Sequence, residues 1–148
     1  MTIALQDTPF DPGVLLAFFS RGRTETGAIV TFTGIARADG GKSEVLELEA
    51  YPGFTEGEIR RIAEEARVRF SLHDLMVIHR VGKIKPGAPI VFVATAAGHR
   101  REAFEAADFL MDYLKSKAPF WKKEHGPAGE KWIEPTERDH ADVARWDG

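Results

Sequence analysis

The sequence predicts an α+β fold, a mainly antiparallel sheet with helices packed on it, and three observations carry that expectation. Its 148 residues, 43% hydrophobic and 29% charged, suit one compact domain with a single core over 1–148. Its β-rich runs are short and are separated by turn residues, which favours hairpins over long crossovers. Helical periodicity follows these runs instead of alternating strictly with them.

Taken in order, "FDPGVLLAFFSRG" has Asp11 to cap a helix, Pro12 at its first position and Gly22 just past its end. "GAIVTFTGIAR" is rich in Ile, Val, Thr and Phe, and "SEVLELEAY" alternates Leu46, Leu48 and Ala50 with acids. With "ADGGK" between them, the two are expected to pair as a hairpin with one wet face. "TEGEIRRIAEEARVRF" has Thr55 and Glu58 at capping-box spacing and places Ile59, Ile62, Ala63, Ala66 and Phe70 on one helical face. "DLMVIHRVGKI" and "PIVFVATAAGH" are two further strands joined by "KPGA", and "RREAFEAADFLMDYLKSKA" is the longest helix. "FWKKEHGPAGEKWIE" forms two short strands around "GPAG", and a polar tail occupies residues 135–148.

A formal charge of -3 argues against a general nucleic-acid binder, because phosphate affinity depends on a broadly basic surface. No apolar run approaches the ~20 residues that span a bilayer, and "MTIALQDTPFDPG" lacks a basic stretch followed by an apolar one, so no membrane contact and a cytoplasmic location are expected. With no cysteine, the chain has no thiol nucleophile, no persulfide carrier and no cysteine-based zinc site. Its histidines show no ligand spacing with a carboxylate, so no metal and no cofactor is expected.

Candidate chemistry collects at strand ends and helix ends. Arg37 leaves "FTGIAR" beside the glycine-rich turn, and His99, Arg100 and Arg101 crowd the start of the longest helix. Cations there oppose the helix dipole, so an anion would relieve them, although Arg101 can also pair with Glu105 one turn on. On that helix Arg101, Glu105, Asp108, Asp112 and Lys115 form a polar stripe beside an apolar face of Phe104, Ala107, Leu110, Met111 and Leu114. Lys115 thus emerges at the C-terminal end, where the dipole alone would favour it. Pro119 then ends the helix, Phe120 and Trp121 are expected to turn inward, and strand geometry returns Lys122 toward Lys115. Two lysines beside aromatic walls depress each other's pKa, and one becomes available as base or nucleophile.

"VTFTGIAR", "LELEAYPGFTE", "VIHRVGKIKPG", "AGHRREAFEA" and "MDYLKSKAPFWKKE", in that order, resemble the MoaE family, the large catalytic subunits of molybdopterin synthase, over residues 27 to about 134. The resemblance implies an α/β hammerhead fold and a sulfurtransferase of molybdenum cofactor biosynthesis. It implies a homodimer within a heterotetramer, each subunit receiving the Gly-Gly tail of a small ubiquitin-like, MoaD-like sulfur carrier. Sulfur from that tail's thiocarboxylate would pass to cyclic pyranopterin monophosphate and form the dithiolene of molybdopterin. Residue by residue, Lys115 and Lys122 match the family's active-site lysines. Arg37, His99 and Arg100 match positions lining the substrate pocket, and Phe32 and Met111 match groups near the partner's tail. Where the family carries an arginine in its C-terminal segment this chain has Thr136, with Arg138 two residues on as the candidate replacement. Two other readings compete: a non-catalytic adaptor for a ubiquitin-like tail, which would not need both lysines, and a phosphate-ester enzyme, which would act without any protein partner.

Overall fold

In the computed structural model, which describes residues 1–147, the chain runs β1 (Thr2–Gln6), α1 (Pro12–Ser20), β2 (Ala28–Ile35), β3 (Val45–Ala50), α2 (Phe54–Arg69), β4 (Asp74–Arg80), β5 (Gly82–Ile84), β6 (Pro89–Ala97), α3 (Arg100–Ser116), β7 (Phe120–Gly126), β8 (Gly129–Trp132) and α4 (Glu137–Ala144), ending in a 3-10 turn at Arg145–Asp147. The strands form two four-stranded sheets, ordered β1-β4-β6-β2 and β5-β3-β7-β8. Every pairing is antiparallel except β1 with β4, so the expected mixed, mainly antiparallel architecture holds.

The first sheet is covered on both faces, which explains the continuous apolar runs in β4 and β6. Leu75, Val77 and Val93 face α2 and α3, and join Ile59, Ile62, Ala106, Phe109 and Leu110 in the main core. Met76, Ile78, Phe92 and Ala94 point the other way and pack on Phe19 and Leu15 of α1. Asp11 caps α1 through Gly13 and Val14, with Pro12 at the first position. The apolar stripe expected of α2 is buried throughout, from Ile59 to Phe70.

Four expectations fail, each for a physical reason. β2 and β3 do not form a hairpin: β2 pairs with β6 in the first sheet, and β3 pairs with β5 and β7 in the second. The link from Ala36 to Glu44, with Asp39, Gly40 and Gly41 at positive φ, is longer than a hairpin turn and carries the chain between sheets. The run "DLMVIHRVGKI" likewise breaks before Gly82 (φ 84), so that β5 joins the second sheet. Thr55 does not build a capping box: Gly53 caps α2, while Thr55 Oγ1 accepts from the Tyr51 N–H (2.8 Å) and donates to the Pro119 carbonyl (2.7 Å). That fully buried hydroxyl pins the start of α2 to the corner where α3 ends. The polar tail is α4, opened by a capping box in which Thr136 and Asp139 exchange hydrogen bonds. β1 had no counterpart in the sequence reading.

The tail is locked onto α3 through Asp112, which leaves the expected polar stripe and is buried. Its Oδ2 accepts from Arg145 Nη2 (2.7 Å), Arg145 Nε (3.2 Å) and Trp146 Nε1 (2.6 Å), and Trp146 packs edge-on against Phe70 and Phe109. Phe104, conversely, leaves the expected apolar face and is exposed. Asp112→Ala is expected to destabilise the chain by about 2 kcal/mol, because Arg145 and Trp146 lose their shared acceptor, whereas Asp108→Ala, at the solvent end of the same cluster, costs under about 1 kcal/mol. Urea unfolding of both variants checks the difference; equal midpoints would remove Asp112 as the anchor of the tail.

Candidate active site

Where the two sheets meet, a cavity of about 230 Å³ opens between the end of β2, the end of α3 and the middle of β7. Its apolar floor comes from Leu46, Leu48, Ile90 and Leu114, and its polar groups are Arg37, Asp39, Ser43, His79, Lys115, Lys122 and Glu124. The register of β2 slips between Gly34 and Ile35, a bulge that redirects the strand end and brings Arg37 to the rim. Gly34 permits this approach, since a Cβ there would stand 2.8 Å from Val91 Cγ1. The Arg37 guanidinium is exposed and pairs loosely with Asp39 at 3.6 Å.

Lys115 and Lys122 reach the same cavity from different elements. Lys115 is in the last turn of α3 and is exposed to the opening. Lys122 is on β7, two residues after Phe120, so both side chains leave the same face of the strand. The same alternation sends Trp121 outward, against expectation: it is exposed and stands against Tyr51 and Trp132. Lys123 also points away, bound to Glu130 at 2.8 Å and lying over the Trp132 ring. Burial foremost, and then the charge of Lys115, lower the Lys122 pKa to about 8, with Asp139 of α4 opposing them. A lysine near 8 is still mainly an ammonium at neutral pH and loses its proton just above it.

Phe32 and Met111 line the cavity and also a shallower cleft of about 320 Å³ between β2 and α3, so the two depressions share a wall. His99 and Arg100 are elsewhere. His99 caps α3 without a side-chain hydrogen bond, both residues are exposed, and about 22 Å of helix separates Arg100 from Lys115. Among the described residues the expected Arg101–Glu105 ion pair does not form. Arg138 is exposed in the first turn of α4 and does not line the cavity, although its neighbour Asp139 is close enough to bias Lys122.

His79 is the cavity group that motif reasoning passed over. It is 5% exposed, its ring stacks on Phe120 (4.3 Å between centroids, 22° between planes), and Nδ1 is 2.8 Å from the Arg80 carbonyl. The signal was there: a single imidazole inside the apolar run "LMVIH" of a strand covered on both faces must be neutral and hydrogen-bonded, or functional.

The fold and site define a small two-sheet α+β protein with a cavity at the sheet junction, lined by two lysines from different elements. The family model for the MoaE protein matches residues 5–117, from the last two residues of β1 through α3, and the chain belongs to that family. It is 64% identical over 147 residues to the molybdopterin synthase catalytic subunit of Caulobacter vibrioides, covering 99% of this chain and 98% of the relative. The corresponding subunit of Cereibacter sphaeroides is 53% identical, with 99% and 100% covered. Among solved structures, the molybdopterin biosynthesis MoaE protein of Burkholderia ambifaria superposes with a TM-score of 0.84 at 42% identity, covering 99% of this chain and 98% of the other. The crystal structure of molybdopterin synthase from Staphylococcus aureus gives 0.78 at 29% identity, with 87% and 94% covered.

Proposed function

We propose that this chain is the catalytic, sulfur-transferring subunit of a molybdopterin synthase, acting on cyclic pyranopterin monophosphate with a thiocarboxylated small subunit. The observation that carries the proposal is the convergence of Lys115 and Lys122 in one cavity of a chain that belongs to the MoaE family and has no cysteine of its own to hold sulfur.

The chemistry follows from charge. The thiocarboxylate of the partner's tail is an anion whose sulfur attacks a side-chain carbon of the pterin; as that C–S bond forms, a C–O bond at the same carbon breaks, its oxygen leaves as water once protonated, and a thioester joins the two. Water then adds to the acyl carbon, the acyl C–S bond breaks, sulfur stays on the pterin, and the partner departs as a carboxylate. A second thiocarboxylate supplies the second sulfur. Lys115, at the mouth, steers the thiocarboxylate and moves a proton at the attacked carbon. Lys122, held in a drier site, stabilises the oxyanion formed when water adds to the acyl carbon. The cleft shared by Phe32 and Met111 offers the tail a path to the lysines, alongside β2, which is an edge strand.

Arg37 is placed to meet the substrate phosphate at the rim. His99 and Arg100, remote in one chain, would reach a pocket only from a second copy, which suits a homodimer carrying one small subunit on each chain. Arg138, exposed and outside the cavity, would meet the substrate's phosphate only by extending toward the rim, which its neighbour Asp139 already approaches closely enough to act on Lys122. No helix among the described residues is long and apolar enough to cross a membrane, and the cytoplasm is the proposed compartment because a thiocarboxylate survives best under reducing conditions.

A single-turnover assay tests the reading: protein, cyclic pyranopterin monophosphate and thiocarboxylated partner, with molybdopterin followed by fluorescence after oxidation. Product that depends on the thiocarboxylate is expected. Release of phosphate from a simple ester without any partner would favour a phosphate-ester enzyme, and partner binding without product would favour an adaptor.

A further inference from the structure

The geometry points to His79 as a ligand-binding residue: a neutral imidazole whose Nε2 accepts a hydrogen bond from an N–H or O–H of what occupies the lysine cavity. The inference rests on the function proposed above and adds a neutral, buried acceptor to a cavity whose charged groups are cations and carboxylates.

A carbonyl oxygen can only accept, so the 2.8 Å contact with Arg80 places the ring proton on Nδ1 and leaves Nε2 with a free lone pair. Among the described residues Nε2 has no hydrogen-bond partner, yet it is not one of the sealed, unpartnered polar atoms, which are Arg80 Nε and Glu102 Oε2. The ring is almost wholly buried, and the cavity lined by Lys115 and Lys122 is the opening it borders. Phe120 covers one ring face and fixes its plane, so the lone pair is held in one direction. Burial, with the charges of Lys122 and Lys115 added to it, pushes the ring's pKa down to about 4 against the opposing pull of the Arg80 carbonyl. An imidazole so placed stays an acceptor across the working pH range and is a weak base, which suits recognition better than proton transfer.

Two sources can supply the donor: a ring N–H or hydroxyl of the pterin, or a backbone N–H of the partner's Gly-Gly tail. His79→Asn separates the cavity-facing atom from the rest, because its amide can still donate to the Arg80 carbonyl while nothing replaces Nε2. His79→Gln can place its amide oxygen near the lost Nε2. In the reconstituted synthase, His79→Asn is expected to lose about tenfold to a hundredfold in kcat/KM, the usual effect of leaving one buried polar partner unmet, and His79→Gln to recover most of it. A weakened affinity for cyclic pyranopterin monophosphate with unchanged partner binding assigns the donor to the pterin; the reverse assigns it to the tail. Unchanged affinities in both arms, with kcat/KM within about twofold of the parent, would overturn the proposal.

A second readout does not depend on turnover. Nitrogen NMR of the labelled imidazole is expected to show Nδ1 protonated and Nε2 bare in the free protein, and Nε2 shifting when the pterin or the partner is added. A protonated Nε2 in the free protein, or no response to either ligand, would also overturn it. If the parent makes no molybdopterin, the synthase reading fails while this readout still reports on the ring.

Discussion

Lys115→Ala is expected to slow molybdopterin formation by about a thousandfold or more, with affinity for the small subunit and unfolding midpoint close to the parent's. Removing the amine takes away both the charge that draws the thiocarboxylate and the proton donor at the attacked carbon, groups that matter more in the transition state than in the ground state. The fold has little stake in the residue. It is exposed in the last turn of α3, where a cation is worth about 0.3 to 1 kcal/mol through the helix dipole. Single-turnover fluorescence and partner titration measure the two quantities separately, and ordinary turnover in the variant would end the assignment.

The same variant exposes the oligomeric logic of the pocket. If His99 and Arg100 act on a neighbouring chain's lysines, Lys115→Ala and Arg100→Ala homodimers are both defective, yet a mixed dimer has one pocket with all its groups intact. Random mixing after subunit exchange is then expected to restore about a quarter of the parent's sites. Two pockets each complete within their own chain would give no recovery, and about 22 Å of helix between Arg100 and Lys115 speaks against that arrangement.

What could be foreseen from the chain follows the range of the interactions concerned. Local patterns were enough for α1, α2 and α3 and for β7 with β8, because periodicity, the Asp11 cap of α1 and tight turns act within a few residues. They were also enough to bring Lys122 to Lys115, since both follow from one helix end and one strand alternation. Sheet membership was not legible: β2 and β3 look like neighbours, and only the competing edge offered by β6 sends them to different sheets. The tail was misjudged because α4 owes its place to distant partners, with Arg145 and Trp146 anchored on Asp112 far back in α3. Trp121 was expected inside for its size, yet strand alternation assigns the interior to Phe120 and Lys122, and one residue's offset decides which aromatic shields His79. Apolar content ranks which residues prefer burial, while backbone period decides which of them can have it.

Lys122→Met is expected to separate stability from activity, lowering turnover by about a hundredfold while making the chain more stable near neutral pH. The folded protein holds this amine at about 8 where a free lysine sits at 10.5, so burying the charge costs stability. At about 1.4 kcal/mol per pKa unit, reduced for the solvent that still reaches the site, the relief is roughly 2 kcal/mol. The sign fixes its pH dependence. The unfolded chain binds the lysine's proton more tightly than the folded one, so the cost is fully present below about 8 and fades as pH rises toward 10.5. Urea midpoints of parent and variant therefore converge over that window. Activity moves the opposite way: the ammonium stabilises the oxyanion, so the parent's kcat/KM is expected to fall as pH rises through about 8. Lys122→Arg, charged throughout, loses that limb even if its longer side chain lowers the plateau. A parent profile flat to pH 9 would show that Lys122 is not used as a cation, and a stability gain over the parent no larger at pH 7 than at pH 10 would show that it is not strained. The role proposed for Lys122 and its cost to the fold thus have one cause, because the dry cavity that would make its charge effective also makes that charge expensive to hold.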